Sequence, residues 1–307
     1  MANVTFRLFS LLLPLLLGYF LKRGRFFGPE DYRVVVRIIM NITLPCAVIQ
    51  SFYGFQMDLA LLSLTFTGFF ANWVMALLAL GLSRKQGKKE RMLDMLCASG
   101  FNLGNFMLPF TQQFIGGTGV ALQSLFDVGN SMMCTGGTYV FGAGVLKLDG
   151  KKMGIKGILS KLAHSTPLVT YLVMILLAVS QVPIPEWVAT VTQPTGAANG
   201  FLSMFMIGMM FEIRFDEAYR KTAVSVLAKR YACGTVMALL FYFVLPFDLP
   251  ARQILTVCAF APVPSMAAVY TEQVGGDVGL ASFVTSCSFV ISGVIVVALI
   301  LVMGLGA

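Results

Sequence analysis

CASGFNLGNFMLPF, from Cys97 to Phe110, and CAFAPVPSMAAVY, from Cys258 to Tyr270, are apolar runs with helix breakers at their centres. Proline has no N–H, and its ring collides with the carbonyl four residues back. Pro109 is therefore expected to free the carbonyl of Asn105, and Pro262 and Pro264 those of Cys258 and Phe260. In hydrocarbon an unpaired peptide group costs on the order of several kcal/mol, so a lipid-facing break is not viable. If both runs lie in a membrane, their breaks must turn inward onto protein or water.

The surrounding sequence puts them in a membrane. Of 307 residues 57% are hydrophobic and 12% charged, and an average soluble domain is about a quarter charged. The mean hydropathy is +0.82, with no polar block long enough to form a separate domain. A spanning helix needs about 20 mainly apolar residues. Ten such runs appear, at 4–21, 34–53, 59–82, 92–114, 119–146, 162–181, 196–213, 225–245, 252–273 and 278–303. Only Arg7 precedes the core of the first, and no small-x-small cleavage site precedes Lys22, so it reads as a retained helix and not a signal peptide.

The charges were not used to place these runs, and they agree with them. Lys22, Arg23, Arg25, Arg33 and Arg37 fall around the first loop, and Arg84, Lys85, Lys88, Lys89 and Arg91 around the third. Lys147, Lys151, Lys152, Lys156 and Lys161 fall in the fifth, and Arg214, Arg220, Lys221, Lys229 and Arg230 around the seventh. These loops hold 20 of the 22 basic residues, as the positive-inside bias requires of the cytoplasmic side. Both termini are then expected outside. The ninth loop carries Glu272 and Asp277 instead, so charge leaves the last two helices unfixed.

The expected fold is an all-α membrane protein of ten transmembrane helices in a five-plus-five inverted repeat, with helices 4 and 9 broken and crossed. The first repeat would cover 1–146, a short basic cytoplasmic connector 147–161, and the second repeat 162–307. TQQFIGGTGVALQS (Thr111 to Ser124) and TEQVGGDVGLAS (Thr271 to Ser282) hint at the repeat, since both follow the broken helices.

Composition also excludes functions. A net charge of +8 could suggest nucleic acid, but the bases sit in short clusters between apolar runs, where anionic lipid attracts them. Cys46, Cys97, Cys134, Cys233, Cys258 and Cys287 show no metal-binding spacing, and no cofactor motif is present. An intramembrane enzyme needs an acid, a base and a nucleophile within reach. Asp127, Glu272 and His164 are expected at different depths, so the chain does not read as an enzyme.

What remains is a polar centre inside an apolar bundle. Two broken helices crossing near the midplane would aim half-helix N-termini at one spot, and such termini favour anions. Asn102 and Asn105 can donate to a carboxylate or accept from a hydroxyl. Gly100 and Gly104 give a small-xxx-small face for close approach. Pro109, Pro262, Pro264 and Ser265 shape the crossing, and Asn41, ahead of Pro45 in NITLP, is a further binding candidate. Asp127, one turn before Asn130, is an ionisable group at depth. Low-dielectric surroundings favour the neutral carboxyl, which suits a proton carrier or, alternatively, a protonated group that glues helices. Glu272 and Gln273 either serve a coupling ion or cap their helix.

LLLPLLLGYFLKRG (Leu11 to Gly24), NITLPCAVIQSF (Asn41 to Phe52), NLGNFMLPF (Asn102 to Phe110) and PVPSMAAVYTEQVGGD (Pro262 to Asp277), in that order, resemble the auxin efflux carrier family. That family includes plant carriers and bacterial permeases proposed for malate and malonate. The resemblance implies the bile-acid symporter-like fold, with a scaffold domain and a transport domain each built from both repeats, and elevator-like transport of an organic anion. It places Asn102, Asn105, Pro109, Pro262, Pro264 and Ser265 around a carboxylate. The long cytoplasmic loop of the plant carriers is missing, and HSTP at His164 departs from the family's Asn-Pro. Expected partners are a small organic anion, a proton or sodium ion, membrane lipid and, as an option, a second copy in a homodimer. The plasma membrane, as the inner membrane of a bacterium, is the expected location. A sodium-coupled symporter of the bile-acid type and a non-transporting membrane sensor are the alternatives.

Overall fold

The computed structural model describes residues 2–28, 30–148, 155–210 and 217–305. Lys151, Lys152 and Arg214, three of the bases assigned to loops, and residues 149–154 of the connector 147–161 lie outside the described residues. Among the described residues the chain is helical throughout, with no strand. Each apolar run is helical over most of its described length. The helices are α1 (Ala2–Arg23), α2 (Tyr32–Ile38), α3 (Leu44–Phe52), α4 (Ser63–Leu82), α5 (Lys88–Ala98), α6 (Leu108–Phe114), α7 (Gly117–Met132) and α8 (Thr138–Leu146). They continue as α9 (Ile155–Ala163), α10 (Thr166–Val179), α11 (Glu186–Met210), α12 (Glu217–Phe243), α13 (Leu249–Cys258), α14 (Met266–Gln273) and α15 (Val278–Val302). Among the described residues four helical stretches are long and apolar enough to cross a membrane: Tyr32–Phe52, Leu59–Leu82, Tyr219–Phe243 and Val278–Val302. A fifth is added if Lys156–Ala163 and Thr166–Val179, bent by 78°, form one span.

Three π-turns join consecutive helices. Ile39–Thr43 links α2 to α3, Leu103–Met107 leads into α6, and Met133–Gly137 links α7 to α8. The first two share a sequence, NITLP at 41–45 and NFMLP at 105–109, and in each the leucine N–H reaches back five residues, to Ile39 and Leu103. The extra residue takes up the proline-ring clash, and the proline then sits in the first turn of the next helix, where no N–H is missed. This corrects the expectation that Pro109 breaks its helix. The chain opens upstream of it, at 99–102, and α6 starts cleanly across the proline. The third π-turn, with Gly136 at φ 154°, bends the fifth apolar run and has no proline to announce it.

Packing divides the helices into two groups. In one, α1 lies along α11, and α11 and α10 both lie against α3. Gly18 and Gly208 let α1 and α11 touch, because a Cβ at either would overlap a carbonyl of the other helix, Phe205 or Leu15. In the other group α4 meets α7 at Gly68 and Gly129, α12 packs on α4, α5 and α13, and α15 packs on α12 and α14. Lipid tails are as apolar as leucine, so such close backbone contact, and not hydrophobic burial alone, holds helices together in a bilayer. The groups meet where α7 touches α3 and α10 and where α6 touches α11. Lys89 Nζ donates to the Gly275 carbonyl at 2.8 Å, which ties the ninth loop to the basic end that charge alone did not reach.

Candidate functional site

The two breaks meet. α5 ends at Ala98, the chain leaves the helical conformation from Ser99 to Asn102, and helix resumes at Leu103. α13 ends at Cys258 and α14 begins at Met266, with Pro262, Val263 and Pro264 unwound between them. Asn102 N–H donates to the Pro262 carbonyl at 3.2 Å, so the two unwound strands bond directly. Gly100 has φ 84°, and a Cβ there would lie 2.5 Å from Pro264 Cγ and 2.8 Å from Cys134 Sγ. Only glycine meets both the backbone and the space requirement at this point.

Side chains satisfy the peptide groups that unwinding exposes. Asn130 on α7 donates to the Phe101 carbonyl at 2.8 Å and accepts from the Phe101 N–H at 3.0 Å. Ser288 Oγ on α15 accepts from Val263 N–H at 3.0 Å. Arg230 on α12, 1% exposed, donates to the carbonyls of Cys97 (2.7 Å), Ala98 (3.1 Å), Gly100 (3.1 Å) and Ala261. The Cys258 carbonyl, expected to be free, accepts from Ala261 N–H at 3.0 Å. Of the two expected neighbours, protein or water, it is protein that satisfies these groups. The cavity between α5, the third π-turn and α14 holds about 10 Å³.

Arg230 was counted among loop bases, and the structure buries it. Basic neighbours at Lys229 and Lys221 hide it in the sequence; the one available signal is that it lies within the eighth apolar run. Among the described residues no carboxylate lies within ion-pair reach of it. Its charge faces the C-terminal ends of α5 and α13, each carrying about half a negative charge from the helix dipole. These negative ends are thereby offset.

Asn102 and Ser265 are the N-cap residues of those two helices, and neither side chain makes a capping bond. Both are residue types that ordinarily cap. Asn102 is buried with its Nδ2 unpartnered, and Asn105 Oδ1 is likewise unpartnered. Ser265 is exposed and Asn105 half-buried. Pro109, Pro262 and Pro264 are buried and act on the backbone.

Asp127 belongs to the network behind the crossing. Its Oδ1 accepts from Asn130 Nδ2 at 2.7 Å and its Oδ2 from Tyr171 OH at 3.1 Å. Tyr171 is on α10, so this bond passes between the two helix groups. Asn72 on α4 donates to Asn130 Oδ1 at 3.2 Å. Asn41 stands apart and exposed, donating to the Arg37 carbonyl at 2.9 Å and accepting from Thr166 at 2.7 Å. Glu272 and Gln273 lie in the last turn of α14, on the far side from the crossing, with Glu272 exposed.

Over 293 residues, 91% of this chain and 91% of the other, the sequence is 25% identical to a protein of Methanothermobacter thermautotrophicus described as an uncharacterized transporter. No family model matches the chain.

Two structural features support the same kind of protein. The helices long and apolar enough to span a bilayer make this a membrane protein, and large apolar side chains such as Phe6, Phe66, Trp187 and Val294 are exposed on outer faces, as lipid contact requires. Among the described residues no group of three or more His, Cys, Asp or Glu side chains is gathered to hold a metal ion. Among the described residues the buried polar side chains are amides, hydroxyls, the carboxylates of Asp94 and Asp127 and the guanidinium of Arg230.

Proposed function

We propose that this protein is a secondary transporter of a small organic anion, whose carboxylate is held where the two unwound segments cross. The observation that carries this reading is the backbone bond from Asn102 to Pro262, made beside a buried Arg230 that offsets the negative helix ends. Asn102 Nδ2 and the first N–H groups of the two resumed helices would bind the carboxylate. Pro262 and Pro264 hold the backbone open, Pro109 starts α6 just beyond the crossing, and Ser265 and Asn105 give access.

The topology proposed is ten crossings in a five-plus-five inverted repeat, with both termini outside and the basic loops in the cytoplasm of a bacterial cell. A local likeness supports it: the exits of the two broken helices close alike, Gly116 N–H donating to Thr111 O at 3.0 Å and Gly276 N–H to Thr271 O at 2.9 Å. The group of α1, α2, α3, α10 and α11 would be the scaffold. The remaining bundle, which contains the crossing, would move against it as an elevator. Asp127, bonded across the boundary to Tyr171, is the proton-carrying candidate.

Uptake of labelled short carboxylates into proteoliposomes tests this. Asn105→Ala is expected to abolish uptake while the protein still inserts and purifies normally. Unaltered uptake by that variant would count against the site. Uptake that requires external sodium would move the assignment to a sodium-coupled symporter of the bile-acid type.

A further inference from the structure

The seam between α11 and the first two π-turns contains polar groups that nothing at the crossing uses. Asn199 and Ser203, both on α11, are 0% exposed. Thr43 Oγ1 donates to Asn199 Oδ1 at 3.0 Å, which fixes the amide and turns its Nδ2 the other way, where it has no partner. Ser203 Oγ has none either. It lacks even the bond to the carbonyl four residues back that Thr190 and Thr192 make in the same helix, at 2.9 and 2.8 Å.

The turn Leu103–Met107 lies against both α11 and the turn Ile39–Thr43. Asn105, whose Oδ1 is unpartnered, belongs to this turn. Three orphaned groups in one seam are one donor, one acceptor and one hydroxyl able to be either. Each buried group left unpaired costs free energy, and unpaired groups on elements that touch one another call for an occupant with matching chemistry.

The occupant is not charged. The residues of both π-turns carry no ionisable side chain, and Glu186, at the far end, is the only charged residue in α11. A carboxylate or ammonium buried there would have no counter-charge. Building on the anion site of the preceding subsection, we propose that Asn199 and Ser203 form its neutral half. There they bind an uncharged hydroxyl or keto group carried by the substrate next to its single carboxylate. The crossing then selects for negative charge and α11 for the substituent.

The discriminating probes are propionate, lactate and malonate, which share a carboxylate and differ in what accompanies it. In proteoliposomes the unmodified protein should take up lactate with a KM about tenfold below that of propionate, and malonate should compete no better than propionate. In Asn199→Leu, of similar volume, and in the milder Ser203→Ala, the lactate KM should rise until its advantage falls to within about twofold. A lactate preference that survives in folded Ser203→Ala, with an ordered water as the only occupant of the seam, overturns the proposal. So does malonate outcompeting lactate in the unmodified protein. If none of the three probes is bound or moved, the anion-transport reading itself falls, and the neutral half falls with it.

Discussion

Asn130 and Phe101 exchange two hydrogen bonds, at 2.8 and 3.0 Å, so one side-chain amide on α7 supplies both partners that Phe101 would have had in a continuous helix. The same amide reaches Asp127 at 2.7 Å. Replacing Asn130 by leucine would keep the volume and strand the buried Phe101 N–H, while the Phe101 carbonyl keeps a bond from Leu103 N–H at 2.9 Å. At about 1–3 kcal/mol for an orphaned buried group, Asn130→Leu should lose about 1–3 kcal/mol of stability. Thermal unfolding in detergent reads this directly, and an unchanged midpoint would show that Phe101 finds other partners.

Arg230 should not tolerate its nearest substitute. Lysine keeps the charge but presents one compact ammonium in place of a planar fork, and it cannot reach carbonyls on both α5 and α13 together. Arg230→Lys is expected to insert and purify yet move anions at least about tenfold more slowly, and Arg230→Met to be both inactive and unstable. Normal uptake with methionine at position 230 would remove the guanidinium from the mechanism.

Asp127→Asn separates a proton carrier from a structural carboxyl. Asparagine preserves the size and an acceptor for Tyr171, and cannot be protonated. If Asp127 carries the coupling proton, the variant should still exchange substrate across a membrane at equilibrium. Accumulation driven by an inward proton gradient should drop by about tenfold or more. Gradient-driven uptake at the unmodified level would assign Asp127 to holding α7 against α10.

Helix contact at Gly129 is a stability test remote from the crossing. A Cβ there would overlap the Thr65 carbonyl and lie 2.6 Å from Phe69 N, both backbone atoms that cannot rotate away. Gly129→Ala should destabilise the α4–α7 pair by about 1–3 kcal/mol. A melting temperature equal to that of the unmodified protein would mean that these helices are free to separate.

The apolar periodicity and the prolines made the helices and the meeting of the two broken segments legible, because hydrocarbon allows few alternatives. The position of the first break was misread. Pro109 is the conspicuous residue, but a π-turn costs less than a break, and Gly100, able to take positive φ, is where the chain opens. Pattern reading missed the chemistry of the crossing for a different reason. Arg230 and Ser288 act through long-range hydrogen bonds to backbone carbonyls and N–H groups, and no local spacing encodes such a partner. The sequence offers Asn130, one turn from Asp127, as a partner in ion coupling, and the structure adds bonds to Phe101 that hold the unwound backbone. Asn199 was visible only as a polar residue in an apolar helix, and its orphaned Nδ2 emerges once Thr43 is seen to occupy the other end of the amide.

A π-turn carries one residue more than the α-helical turn it replaces. At Ile39–Thr43 and Leu103–Met107, this surplus lies on the two faces that would slide past each other during transport. Passing the extra residue one step along the chain rotates the helix beyond it by about 100° and advances it about 1.5 Å, and the hydrogen-bond ladder re-forms behind it. The bundle thus contains its own slack: side chains at this boundary can be re-aimed by a ratchet of the backbone, with no helix needing to unwind.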